Sequence, residues 1–243
     1  MHGLCQTAIL AYQYLQKTLK PHGYYPVPGT VELWKHQHQP IHFFLCVDEF
    51  GVKYFNKEDV HHLQQAIGTV FQYSTDWTGN NFCGMQFDWN YNDSYVDVSM
   101  PNYIQKALQR LHYKPNIPQY SPHKHMPIRY GIKGIQQYTT SPDTSPLLTP
   151  KQTQWIQSVA GTFLYYARTV DPTLLPALNE LASQQAQPIQ QMLQKAHQIM
   201  DYVGTYPHTY IRYHASDMIL HVDSDAAYLV APKAQSLVAG FYH

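Results

Sequence analysis

Apolar residues recur along this chain with two periods, and the switches between them mark out the expected elements. Ala8, Ala11, Leu15 and Leu19 fall at near-helical spacing, and Pro21 with Gly23 closes the run, so a helix is predicted over about Gln6 to Lys20. Tyr24 to Lys35 is broken by Pro26, Pro28 and Gly29 and reads as irregular or weakly extended. From His42 to Tyr54 two apolar runs flank adjacent carboxylates, the pattern of a β-hairpin with Asp48 and Glu49 at its tip. Val60, Leu63, Ile67 and Phe71 share one face of a second helix over Lys57 to Phe71. Strands are expected at Phe71 to Thr75, Phe82 to Tyr91 and Tyr95 to Ser99, with turn chemistry at Asp76 to Asn80 and Asn90 to Ser94. Ser99 is placed to cap a following helix with Pro101 in its first turn. That helix turns Ile104, Ala107, Leu108 and Leu111 inward and leaves Gln105, Lys106, Gln109 and Arg110 outward.

Pro115 to Pro150 is rich in Pro, Ser, Thr and Tyr and reads as a connector draped over the surface. Helical periodicity resumes over Thr149 to Arg168, Pro172 to Gln185 and Pro188 to Val203. Short strands are expected at about His208 to His214, Asp217 to Asp223 and Ser236 to Tyr242. The class is therefore α+β, without internal repeats.

Composition refines this picture. Hydrophobic residues make up 44% of 243, enough for a real core and against wholesale disorder. Sixteen basic and sixteen acidic side chains cancel, which counts against a strongly basic nucleic-acid binder but leaves room for a local basic groove. Cys5, Cys46 and Cys83 form no C-x-x-C pair and are odd in number, which suits a reducing compartment. No segment has the length of a membrane span, and no secretory signal is expected at the N-terminus. His36 and His38 have a spacing that suggests metal, but no zinc-spaced partner stands nearby, and alternation on an exposed strand explains them as well. His61-His62 opens a predicted helix and is expected to face water.

Several short motifs then fall in a recognisable order. Met1-His2-Gly3-Leu4-Cys5-Gln6-Thr7 resembles the glycine–leucine–proline–glutamine segment of a reverse-transcriptase palm. Cys46-Val47-Asp48-Glu49 resembles the tyrosine–valine–aspartate–aspartate hairpin. Phe82-Cys83-Gly84-Met85 resembles the primer-grip strand, and Val98-Ser99-Met100-Pro101 with Tyr103-Ile104 resembles the start of the thumb helix. Gly161 to Ala167 with Asp171-Pro172 resembles a connection helix, and Ser224-Asp225-Ala226-Ala227-Tyr228 resembles the first active-site strand of ribonuclease H. Over nearly its whole length the chain resembles the C-terminal part of a copia-type retrotransposon polyprotein.

The resemblance implies a partial palm and thumb at 1–114, a connector at 115–150, a helical connection at 151–205 and the start of a ribonuclease H-like sheet at 206–243. The implied activity is RNA-directed DNA polymerase with ribonuclease H, in both cases a two-metal reaction with Mg2+ or Mn2+. Its implied partners are an RNA/DNA template–primer and the remainder of the polyprotein. Its implied place is intracellular, in a particle or the nucleus, and off the membrane. Asp48 and Asp225 are the implied metal-binding carboxylates, and Glu49 stands where the family has a second aspartate. Glu49 keeps the charge but moves it by one methylene, while Cys5 and Cys46 replace the family's proline and tyrosine. The family's other palm aspartate lies on a strand before Gln6, and the chain ends within what should be the second ribonuclease H strand. The chain by itself is therefore expected to lack polymerase activity and to self-associate through an exposed sheet edge.

Other readings of the same residues stay open. Asp48-Glu49 suits a solvated turn and Asp225 a strand-end turn. Lys106, Arg110 and Lys114 are template–primer phosphate contacts or an ordinary exposed helix face. Gln6 lies near the nascent base pair or is a polar residue at a helix start. Tyr165 and Tyr166 are expected to pack the connection rather than stack on bases. A domesticated or residual nucleic-acid-binding module without catalysis is the alternative function.

Overall fold

A computed structural model describes residues 6–124, 145–217, 219–231 and 235–242. The chain has the predicted α+β class and divides into two compact units, Met1–Asp88 and Trp89–His243.

The first unit begins with α1 (Thr7–Leu19) and a single 3-10 turn (Lys20–His22) that ends on Gly23 at φ 84°. Strands β1 (Tyr24–Val27), β2 (Thr30–His36), β3 (His42–Cys46) and β4 (Glu49–Lys53) then form an antiparallel meander in sequence order. The segment expected to be irregular is therefore a hairpin. Pro26 is tolerated because β1 is an edge strand, where a missing N–H breaks no ladder bond on the open side. Gly29, at φ 82°, supplies the turn. Helix α2 (Lys57–Gly68) is shorter than predicted, and no strand forms over 71–75.

Register decides which side of the sheet is core. Pro26, Trp34, Phe43 and Val52 lie on one rung, and Trp34 stacks on Phe43 at 5.5 Å between centroids. Leu15 and Leu19 of α1 and Val60, Leu63, Ala66 and Ile67 of α2 complete this core. The neighbouring rung, Leu33, Phe44 and Gly51, faces the other way.

The stretch 82–91 is not one strand. It breaks into β5 (Asn81–Phe82) and β6 (Met85–Asn90) around a Cys83-Gly84 turn, and the division between the units falls within β6.

In the second unit, β7 (Tyr95–Ser99) leads to α3 (Tyr103–Arg110). Ser99 is not its cap: it ends β7, and Asn102, in the left-handed region at φ 61°, precedes the helix without a side-chain cap. The amphipathic reading of α3 holds, with Ile104 and Ala107 buried and Lys106 and Arg110 exposed. Residues 125–144 of the expected connector lie outside the described residues. Helix α4 (Pro150–Thr169) starts with a capping box in which Thr149 and Gln152 satisfy each other's backbone N–H. A short 3-10 turn (Pro172–Leu174), α5 (Leu175–Ser183) and α6 (Gln190–Thr205) follow.

Phe163, Tyr166, Leu174, Leu178, Ala196 and Ile199 are among the buried residues of these helices. Asp201, buried on α6, accepts hydrogen bonds from Tyr113 Oη at 2.9 Å and Asn116 N at 3.0 Å, which ties the segment after α3 to α6. Strand β8 (Tyr210–His214) returns to pair with β7, so the segment 206–243 shares a ladder with residues of 1–114. Strands β9 (Val222–Ala231) and β10 (Gln235–Tyr242) form a separate antiparallel hairpin, and the strand expected from Asp217 begins only at Val222. Among the described residues no helix is long and apolar enough to cross a membrane.

Candidate functional site

The β3–β4 hairpin forms where the sequence places it, but its tip is Val47-Asp48. Cys46 pairs with Glu49 as the last rung, so Glu49 is the first residue of β4 and not a tip residue. Asp48 is exposed. Val47 carries a φ of 57° and is 91% exposed. A β-branched residue in the left-handed region costs on the order of 1–3 kcal/mol, and such strain clusters at functional turns.

The Cys83-Gly84 turn packs against the base of this tip. Cys83 at φ 51° and Gly84 at φ 73° form a two-residue connection with both residues left-handed, which matches the twist of the flanking strands. The Cys83 backbone N–H donates to Glu49 Oε2. The Phe82 ring lies over Gly51, with Cε2 3.3 Å from where a Cβ there would stand, and meets Phe44 edge-on at 6.4 Å. Burial pushes the Cys83 thiol up to about 12, helped by its hydrogen bond with Cys46 and the nearby Glu49 charge.

The Glu49 carboxylate is thus engaged by the Cys83 backbone. Among the described residues no group of three or more His, Cys, Asp or Glu side chains is placed to hold a metal ion. The donor set around Asp48 does not fit a divalent-metal pair, which needs several converging oxygens.

A histidine cluster, which the sequence gives as surface residues, lies elsewhere in the first unit. His36 Nε2–H donates to the His22 carbonyl at 2.9 Å, and His36 Nδ1 accepts from the backbone N–H of His38 at 3.1 Å and Gln39 at 2.8 Å. His62 is half-buried, with Nδ1 3.0 Å from the buried Tyr24 hydroxyl. His61 stays exposed, because consecutive helical residues point about 100° apart. Burial lowers the pKa of His36, and burial with the nearby Asp59 raises that of Tyr24. These rings serve as core-edge hydrogen-bonding groups.

Gln6 is exposed at the N-cap position of α1, and its carbonyl, not its side chain, accepts the first helical bond from Leu10. In the second unit, Asp225 is exposed on β9, opposite Ala239, and its Oδ1 accepts from the next backbone N–H, that of Ala226, at 2.8 Å. Lys106 is exposed on α3. Arg110 Nη2 donates to Thr162 Oγ1 at 2.9 Å, and the Tyr103 hydroxyl donates to the Thr162 carbonyl. Tyr103, Arg110, Leu111, Ser158, Gly161 and Thr162 line an open pocket of about 550 Å³ between α3 and α4. Tyr166 is buried and stacked on Tyr103 at 5.2 Å, as a packing role requires, whereas Tyr165 is 42% exposed.

Sequence reasoning missed the Cys46–Cys83 meeting, since no local pattern links them. The positive φ of Val47 was equally hidden, because that region is usually announced by Gly or Asn. No family model, curated protein or solved structure matches the chain.

Proposed function

We propose that this chain is a reverse-transcriptase segment of copia-type retrotransposon ancestry, with palm, thumb and connection followed by the first strands of a ribonuclease H-like sheet. One observation carries the reading. The two segments that resemble the catalytic hairpin and the primer grip lie far apart in sequence, yet they pack turn against turn through Glu49–Cys83 and Gly51–Phe82. A strand that grips a primer has to sit beside the carboxylates that act on the primer's 3′ end. The strain at Val47, immediately before Asp48, supports the same assignment.

The reading does not extend to catalysis by the described residues, because Asp48 lacks the converging carboxylates of a two-metal site. A hybrid carrying a photoreactive group at its primer 3′ terminus tests the assignment. Cross-links should map to the 46–49 and 82–85 turns, and cross-links confined to other surfaces would refute it. Primer extension with Mg2+ or Mn2+ should give no product, and clear extension would overturn the inactive reading.

A second reading, a residual nucleic-acid-binding module, is favoured by Arg110. Its guanidinium meets a hydroxyl and lines an open pocket, and the exposed Lys106, which is not part of that lining, stands four residues earlier on the same helix. Two phosphate contacts there would give the binding a salt dependence.

A further inference from the structure

We propose that Cys46 and Cys83 are a redox-responsive thiol pair that closes to a disulfide and staples the acidic Val47-Asp48 turn to the Cys83-Gly84 turn. Two independent contacts, one through Glu49 and one through Phe82, bring the two residues together. Cys46 pairs across the hairpin with Glu49. The Glu49 carboxylate accepts the backbone N–H of Cys83. The Phe82 ring, one residue before Cys83, is seated on Gly51 of the same hairpin. Neither cysteine is in a disulfide, both are partly buried, and the Cys46 thiol is close enough to Cys83 to help raise its pKa. A disulfide holds its sulfurs at about 2.05 Å, so closure draws the two turns closer together.

Glutathione disulfide is the oxidant, and the exchange balances. Cys46 loses its proton and attacks the oxidant, since burial disfavours the Cys83 thiolate, giving a mixed disulfide and one glutathione. The second thiol then loses its proton and displaces a second glutathione, leaving the Cys46–Cys83 bond. Two protein thiols are oxidised and one glutathione disulfide is reduced to two glutathiones. In a reducing compartment the pair rests open and closes only when the glutathione pool shifts. Closure depends on the packing of the two turns and not on any metal at Asp48.

The full chain has three cysteines and so three possible internal pairings, of which the fold favours one. Oxidation of the native chain with glutathione disulfide, followed by peptide mapping without reductant, should lower the free thiols from three to one. It should give a single linked peptide pair containing Cys46 and Cys83. Cys5→Ser should keep that link, and Cys46→Ser and Cys83→Ser should each abolish it. The same oxidation in urea should scatter the pairings. A further readout needs no variant: oxidation should slow amide exchange at Val47 to Glu49 several-fold, and dithiothreitol should reverse the change. Retention of three free thiols, separate glutathione adducts on Cys46 and Cys83, or pairing with Cys5 in the native chain would each overturn the proposal.

Discussion

The backbone N–H of Cys83 donates to the side chain of Glu49, so a turn at one end of a hairpin is held by a carboxylate from another hairpin 34 residues earlier. This bond explains why a glutamate is useful there. Its extra methylene lets the carboxylate leave the β4 rung and reach the Cys83 amide. Glu49→Asp should lose that reach. Amide exchange at Cys83 should then accelerate by about fivefold, the equivalent of about 1 kcal/mol for one hydrogen bond, while the helices keep their protection. Unchanged exchange at Cys83 would show that the bond contributes nothing in solution.

Val47 is expected to be strained. Val47→Gly should remove the left-handed penalty and lose a smaller amount through glycine's backbone entropy. The net gain should be about 0.5–1 kcal/mol, read as a higher urea midpoint with unchanged slope. A lower midpoint would mean that the turn accommodates valine without strain.

Phe43 and Phe44 are neighbours with opposite fates. Phe43 is buried against Trp34, whereas Phe44 is 43% exposed on the other face. Phe43→Ala should cost about 3–5 kcal/mol, and Phe44→Ala less than half as much. Equal costs in urea denaturation would mean that the hairpin is slipped by one residue, since a slip exchanges the two faces.

The first unit should lose stability in mild acid. His36 donates from Nε2 and accepts two backbone N–H bonds at Nδ1, so protonating Nδ1 breaks both. Burial already lowers its pKa, and His62 and His38 oppose its protonation, while the His22 carbonyl and Asp59 favour it. A pKa below the unfolded value of 6.5 means that the unfolded chain binds the proton more readily. Stability from this group is therefore full above pH 6.5 and declines as the pH falls below it. Urea midpoints across that range should drop, and His36→Gln should flatten the decline relative to the parent chain. An equally steep decline in the variant would show that His36 is not the group responsible.

Much of the architecture was legible because one face of each element is apolar. Ile104, Ala107 and Leu111 mark the buried side of α3, and the alternation of Phe43 and Leu45 fixes the inner face of β3. What was not legible has physical causes. Pro26 and Pro28 read as breakers because sequence does not say that β1 lies on a sheet edge. The split of 82–91 depends on a left-handed Cys83, a residue type that does not advertise that conformation. Ser99 looked like a cap, yet its backbone is used by β8. The acidic hairpin was found correctly, but the partner of its second acid is a backbone amide from another hairpin, and such long-range pairing leaves no local trace.

The pairing of β7 with β8 also bears on how the chain is made. Arg212 holds Asp97 through two bonds of 2.7 Å across 115 residues of sequence. During synthesis β7 emerges long before β8, and the edge that β8 fills must wait through the whole helical segment. Translation of that segment, at about 5–20 residues per second, leaves the edge of β7 that β8 will fill open for roughly 5–20 seconds, while β6 holds its other edge. Over that interval a chaperone or a second nascent chain competes with β8 for the same edge.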